Sequence, residues 1–342
     1  RSYKKGLAMK DSIMNRRTLV VIFAVFLLAY PFLVGQSSYF MSLVAMTAIY
    51  AIAAMSLNLL TGYGGQISVG QGGFLMLGTY TAAVLSAKLN MPIWITIPAA
   101  GVVAGLVSLV IGLPAVRLKG HFLAVATLGF GLSIPEIALN WKSVTAGYSG
   151  LPMMRPEAVS SDLAFFYVIL VVTMVITWIL LNIANSRLGR AFLAIRDSEI
   201  AAAATGINVA GYKTIMFMIA AFFTGIGVGL YAYWIEYVSP NDFTIMTSFF
   251  LLAMIVVGGL ASIWGAIVGA ILFTVIPHFA DSYVGVTNLI IGVAVILIIL
   301  FRPSGLISIG ELFGRNLKTK ELESAPVKPE QKQSSEVTDA KF

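Results

Sequence analysis

The 342 residues are 58% hydrophobic and 11% charged, with a formal net charge of +7. So few charged side chains cannot cover a water-facing surface, which excludes a soluble globular domain. The basic residues gather in a few loops rather than along one face, which argues against nucleic-acid binding.

Arg1, Lys4, Lys5, Lys10, Arg16 and Arg17 precede the first apolar run, so residues 1–17 read as a basic, cytoplasmic N-terminus. Long continuous apolar runs then predict an all-α polytopic membrane protein rather than a β-barrel. Ten transmembrane helices are expected, over 18–35, 40–60, 67–87, 92–113, 121–140, 163–183, 213–233, 244–261, 264–280 and 285–301. The first run has no small-residue cleavage pattern and reads as retained. With this count both termini are cytoplasmic. Arg117, Lys119, the 184–212 loop and the tail from Arg302 lie inside, while Lys142 and Arg155 stand outside among Glu157, Asp162, Glu236, Asp242 and Asp281. The transmembrane domain thus spans 18–307. The polar 308–342 tail, rich in Lys, Glu, Ser, Gln and Pro, reads as disordered and cytoplasmic.

Two segments are Gly-interrupted. "LNLLTGYGGQISVGQGGFLMLGTY" (57–80) carries seven glycines and the polar side chains Asn58, Gln66, Ser68 and Gln71, and "VVGGLASIWGAIVGAIL" (256–272) carries Gly258, Gly259, Gly265 and Gly269. Glycines permit close helix packing and broken helices where backbone lines a cavity. A pair of such segments, one per half, is the sequence mark of a transporter's path. Asn58, Gln66, Ser68, Gln71, Gly258 and Gly259 are therefore expected to line it.

Residues 188–206 have helix-forming composition without proline and predict one amphipathic helix, with Leu188, Phe192, Ile195 and Ala202 or Ala203 on an apolar stripe and Arg190, Arg196, Asp197 and Glu199 on polar faces. Gly206 supplies a stop. Such a helix either lies on lipid headgroups or inserts its ridge into a groove on a partner.

Catalytic chemistry is missing from the sequence. The spans hold almost no ionisable residue of the kind a proton- or sodium-coupled carrier uses. Glu136 and His278 stand near outer span edges and His121 at an inner one, and the histidines have no acidic partner at metal-ligand spacing. No phosphate-binding loop, nucleophile elbow or zinc signature occurs, so no catalytic residue, metal or cofactor is expected. Uphill transport would draw its energy from another subunit.

"NSRLGRAFLAIRDSEIAAAATGINVAGYK" (185–213) resembles the cytoplasmic loop of the LivM-type permeases of branched-chain amino-acid ABC importers, with Glu199, Ala201, Ala202 and Gly206 at the positions of its coupling motif. "NLLTGYGGQISVGQGGFLMLGTYTA" (58–82), "RLKGHFLAVATLGFG" (117–131), "VSPNDF" (238–243), "MIVVGGLASIWGAIVGA" (254–270) and "FRPSGLI" (301–307) resemble further stretches of that family, in its order. The early signature departs where the family's G-H-A-A-F reads Gly70, Gln71, Gly72, Gly73, Phe74. The resemblance implies an inner-membrane permease subunit that pairs with a homologous permease, two cytoplasmic ATPases and a periplasmic binding protein. It also implies that the helix docks Leu188, Phe192 and Ile195 into an ATPase groove, oriented by Glu199 and the arginines. The competing reading is a self-sufficient channel or secondary carrier whose 188–206 helix only lies on the membrane.

Overall fold

A computed structural model describes residues 30–31, 37–115, 121–280 and the positions 292, 293, 295, 296, 300, 305 and 306. The expected spans at 18–35 and 285–301, the basic N-terminus, Arg117, Lys119 and the 308–342 tail fall largely or wholly outside these residues.

The eight central spans expected from the sequence each coincide with a helix. α1 (Ser38–Asn58) continues into a π-helical turn (Leu59–Tyr63), and α2 (Gln71–Ala87) and α3 (Ile93–Ala115) follow. After α4 (His121–Asn140) come the single turn α5 (Lys142–Thr145) and the strand β1 (Leu151–Pro152). α6 (Asp162–Asn185), α7 (Arg187–Asp197), α8 (Glu199–Ala204) and α9 (Val209–Ile235) lead to β2 (Tyr237–Val238), α10 (Ile245–Gly258) and α11 (Ile263–Ala280). Among the described residues, five helices are long and apolar enough to cross a membrane: Ser38–Tyr63, Ile93–Gly112, Phe122–Asn140, Asp162–Asn185 and Val209–Ile235. α10 has 14 residues; at 1.5 Å per residue it reaches about 21 Å, short of a bilayer core of about 30 Å.

α1 is the central post. It is buried along most of its length and packs against α6, α9, α10 and α11. α9 packs in turn on α2 and α3. The α2–α9–α3 layer closes through small residues. A Cβ at Gly78 would stand 2.7 Å from the Cα of Gly225, and one at Gly225 would stand 2.5 Å from the Ala100 carbonyl oxygen. In lipid such backbone approach replaces the hydrophobic drive that packs helices in water.

Among the described residues α6 and α9 mark two ends, the start of α6 meeting the end of α9 at Arg155. At one end β1 pairs antiparallel with β2, Leu151 opposite Val238 and Pro152 opposite Tyr237. Arg155 seals this end. Its guanidinium donates to the carbonyls of Tyr233 and Trp234 (2.9 Å each), pairs with Asp162 (2.6 Å) and Glu236 (3.0 Å), and lies over the rings of Phe165 and Trp234. The opposite end carries residues 186–208.

Candidate functional site

Three capped helix starts build the 186–208 end. Ser186 Oγ accepts from the Leu188 N–H (3.1 Å), Ser198 Oγ from Ala201 (3.2 Å) and Asn208 Oδ1 from Gly211 (3.0 Å), opening α7, α8 and α9. The single helix expected over 188–206 is therefore two. Ser198, at φ −163° and ψ 113°, is extended and breaks the run, its hydroxyl replacing a lost backbone partner. Gly206 ends α8 at φ +87° with open space around it, a conformation glycine adopts without a Cβ penalty.

The apolar stripe faces inward. Phe192 is 0% exposed and Ile195 1%, with the Phe192 ring edge-on to Tyr212 of α9 at 6.3 Å; Ala202 is buried and Leu188 half-buried. The expected ridge for a partner's groove is thus spent on the chain's own spans, because α6 and α9 descend on the side where the stripe points. Arg190, Asp197, Ala201 and Gly206 face outward, as does Ile200, 81% exposed and overlooked in the sequence.

Two polar contacts weld this end to the bundle. Lys213 of α9, its side chain 2% exposed, pairs through Nζ with Glu199 Oε1 at 2.5 Å. Glu199 therefore turns to its own chain rather than outward. Arg196, beside Asp197 (3.4 Å), donates from Nη1 to the Gly62 carbonyl oxygen at 2.9 Å. A Cβ at Gly65 would stand 2.7 Å from Arg196 Cγ, so the glycine lets the arginine pass.

Beyond Gly62 the first interruption is real: the π-turn ends at Tyr63, and α2 starts only at Gln71 rather than at 67. Asn58 spans the two Gly-interrupted segments. Its Nδ2 donates to the carbonyls of Gly259 (3.1 Å) and Ser262 (2.7 Å), and its Oδ1 accepts from the Ala261 N–H (3.0 Å). The α10–α11 turn it holds is left-handed at Gly259 (φ +133°) and Ala261 (φ +57°). Gly258 packs against the Gly265 backbone. Asn58, Gly258 and Gly259 are thus committed to joining the halves.

The other expected path residues differ among themselves. Gln66 Nε2 donates to the Gly64 carbonyl within its own turn (3.2 Å). Gln71 Nε2 donates to Thr224 Oγ1 (2.6 Å), but its Oε1 is buried without a partner, and so is Ser68 Oγ. Unpaired buried polar atoms are costly and mark a place where a solute or water supplies the missing bond. Close by, the Gly72 N–H donates to Ser248 Oγ of α10 (2.7 Å), so the starts of the two short helices α2 and α10 converge. The side chains of His121 and His278 lie outside the described residues, and Glu136 is exposed.

A family profile described as "Branched-chain amino acid transport system / permease component" matches residues 39–301. The "High-affinity branched-chain amino acid transport system permease protein LivM" of Salmonella typhimurium is 29% identical over 328 residues, covering 88% of this chain and 77% of its own. The protein of the same name from Escherichia coli K12 matches with the same identity and coverage. A "Probable branched-chain amino acid transport permease protein LivM" of Methanocaldococcus jannaschii is 22% identical over 245 residues, 65% of this chain and 71% of its own. No solved structure matches the chain.

Proposed function

The chain belongs to the family of branched-chain amino acid transport permease components, and from that premise we propose that it is the translocating subunit of an ABC importer for branched-chain amino acids in a bacterial inner membrane. In this reading ten helices span the membrane with both termini cytoplasmic. The subunit pairs with a homologous permease, receives solute from a periplasmic binding protein and is driven by two cytoplasmic ATPases. The 184–212 loop is the coupling element, and ATP hydrolysis belongs to the partners.

The observation that carries this reading is the double attachment of the 186–208 end. Its outward face offers Ile200 and Ala201 to a partner. Its inward side holds the Gly62 carbonyl of the first interruption through Arg196, and α9 through Glu199–Lys213. A push on α7–α8 therefore reaches the broken segment directly, and reaches the second one through Asn58. Shared contacts of this kind let one element bias two arrangements of the bundle.

The two faces separate in one experiment. Ile200→Asp alters only an exposed side chain, so the protein inserts normally but loses ATPase co-purification and leucine uptake together. Arg196→Ala leaves the docking face intact, so ATPase still co-purifies while uptake falls. Retained uptake in both variants would return the chain to a self-sufficient carrier.

A further inference from the structure

The start of α2 is fastened to three other helices. The Val69 N–H donates to Thr127 Oγ1 of α4 (3.1 Å), the Gln71 amide to Thr224 Oγ1 of α9 (2.6 Å) and the Gly72 N–H to Ser248 Oγ of α10 (2.7 Å). All three hydroxyl residues are fully buried. Glycine brings the backbone this close: a Cβ at Gly70 would run into the Thr127 carbonyl oxygen, and one at Gly72 would stand 2.9 Å from Ser248 Oγ. The stretch is therefore held from three sides, and what it leaves unpaired is held in place with it.

Three groups are left over. Ser68 Oγ and Gln71 Oε1 have no hydrogen-bond partner, although the two residues are 0% and 1% exposed. In the first turn of α2 the Gly72 N–H is taken by Ser248 and the Gly73 N–H by the Gly70 carbonyl (3.1 Å). The Gln71 N–H has no acceptor among the described residues, and Gly70 supplies no side-chain cap. All three groups fall within four consecutive residues, whose ends stand at most about 10 Å apart even when extended. The hydroxyl and the N–H are donors beside the positive end of a 17-residue helix, which suits an anion. The amide oxygen is an acceptor, which suits an N–H cation. A molecule with both charges on one carbon answers all three.

We propose that the start of α2 is a subsite for the zwitterionic head group of an α-amino acid: the carboxylate accepts from the Ser68 hydroxyl and the Gln71 N–H, and the ammonium donates to Gln71 Oε1. The subsite rests on the importer reading for the identity of the solute, and on the unpaired groups for its head-group chemistry. Because these groups are closed off from solvent, the solute reaches them when one of the three fastenings parts.

Two measurements test it separately from the importer reading. The chain has no cysteine, so Ile67→Cys places a single thiol at an exposed position beside Ser68. In the full chain in nanodiscs, leucine slows maleimide labelling of that thiol. 4-Methylpentanoate, which lacks the ammonium, and 3-methylbutylamine, which lacks the carboxylate, do not. Protection by either half-analogue as strong as leucine's, or by none of the three, overturns the subsite, whatever the chain transports. Ser68→Ala removes a buried polar atom that has no partner, so the unfolding temperature of the purified protein holds or rises. Leucine uptake in cells nevertheless falls about ten-fold or more, as for loss of one charge-assisted bond. Uptake at the wild-type level, or a fall matched by a lower unfolding temperature, makes Ser68 a packing residue and overturns the proposal. Leucine-specific protection in a chain whose uptake survives deletion of the ATPases keeps the subsite and overturns the importer reading instead.

Discussion

Lys213 and Glu199 are unequal partners. The lysine side chain is 2% exposed and the glutamate 31%, so water can reach only one of them. Glu199→Gln strands a buried ammonium and is expected to cost about 2–3 kcal/mol, below the range for fully buried pairs because Glu199 is partly solvated. Lys213→Met leaves a carboxylate that turns to water and costs less; the double variant recovers most of the loss. Thermal unfolding of the three purified variants checks the order. Asp242 gives the opposite sign. Its folded carboxyl titrates above the unfolded one, so the stability it contributes is full at acid pH and is lost as pH rises through the raised value. Relative to Asp242→Asn, the wild type therefore unfolds more easily at neutral pH than at pH near the ordinary carboxylate range, and the midpoints of the two proteins measured across pH report it.

Among the elements, the central helices were legible in sequence because an apolar run of span length has one outcome in lipid. The break at Ser198 was carried by a capping residue inside a helix-prone alanine run, a local signal that summed propensity hides. The direction of the Phe192–Ile195 stripe could not be read, because period places residues on one face without saying what lies against it. Lys213 and Arg155 escaped as site residues for the same reason: their partners, Glu199 and Asp162, lie on other elements. The α10–α11 hairpin offers an element-scale test. A Cβ at Gly269 would overlap the Met254 carbonyl oxygen, and backbone cannot step aside as a side chain can. Gly269→Val forces the helices apart and is expected to cost about 2–3 kcal/mol, seen as a lower unfolding temperature. Gly206→Asn, set in open space, costs little because asparagine tolerates the left-handed region.

For the whole molecule, the absence of cysteine makes topology measurable without removing any native thiol. Single cysteines at Ala203 and Tyr148, both exposed and at opposite ends, should react with a membrane-impermeant maleimide from opposite sides. Ala203 is expected to label only in inside-out vesicles and Tyr148 only in intact spheroplasts. Labelling of both from one face would contradict their placement at opposite ends, and exchanged labelling would reverse the side assigned to the coupling loop.

The Arg196 contact has a genetic consequence. Its acceptor is the main-chain oxygen of Gly62, which every residue type carries, so no substitution at position 62 can delete it or offer a better one. The glycine itself is pinned, since a Cβ there would run into Asn58 and the Ala261 amide. Second-site revertants of an Arg196 loss should therefore be found on the donor's side, in α7 and α8, and never at the residue whose bond was lost.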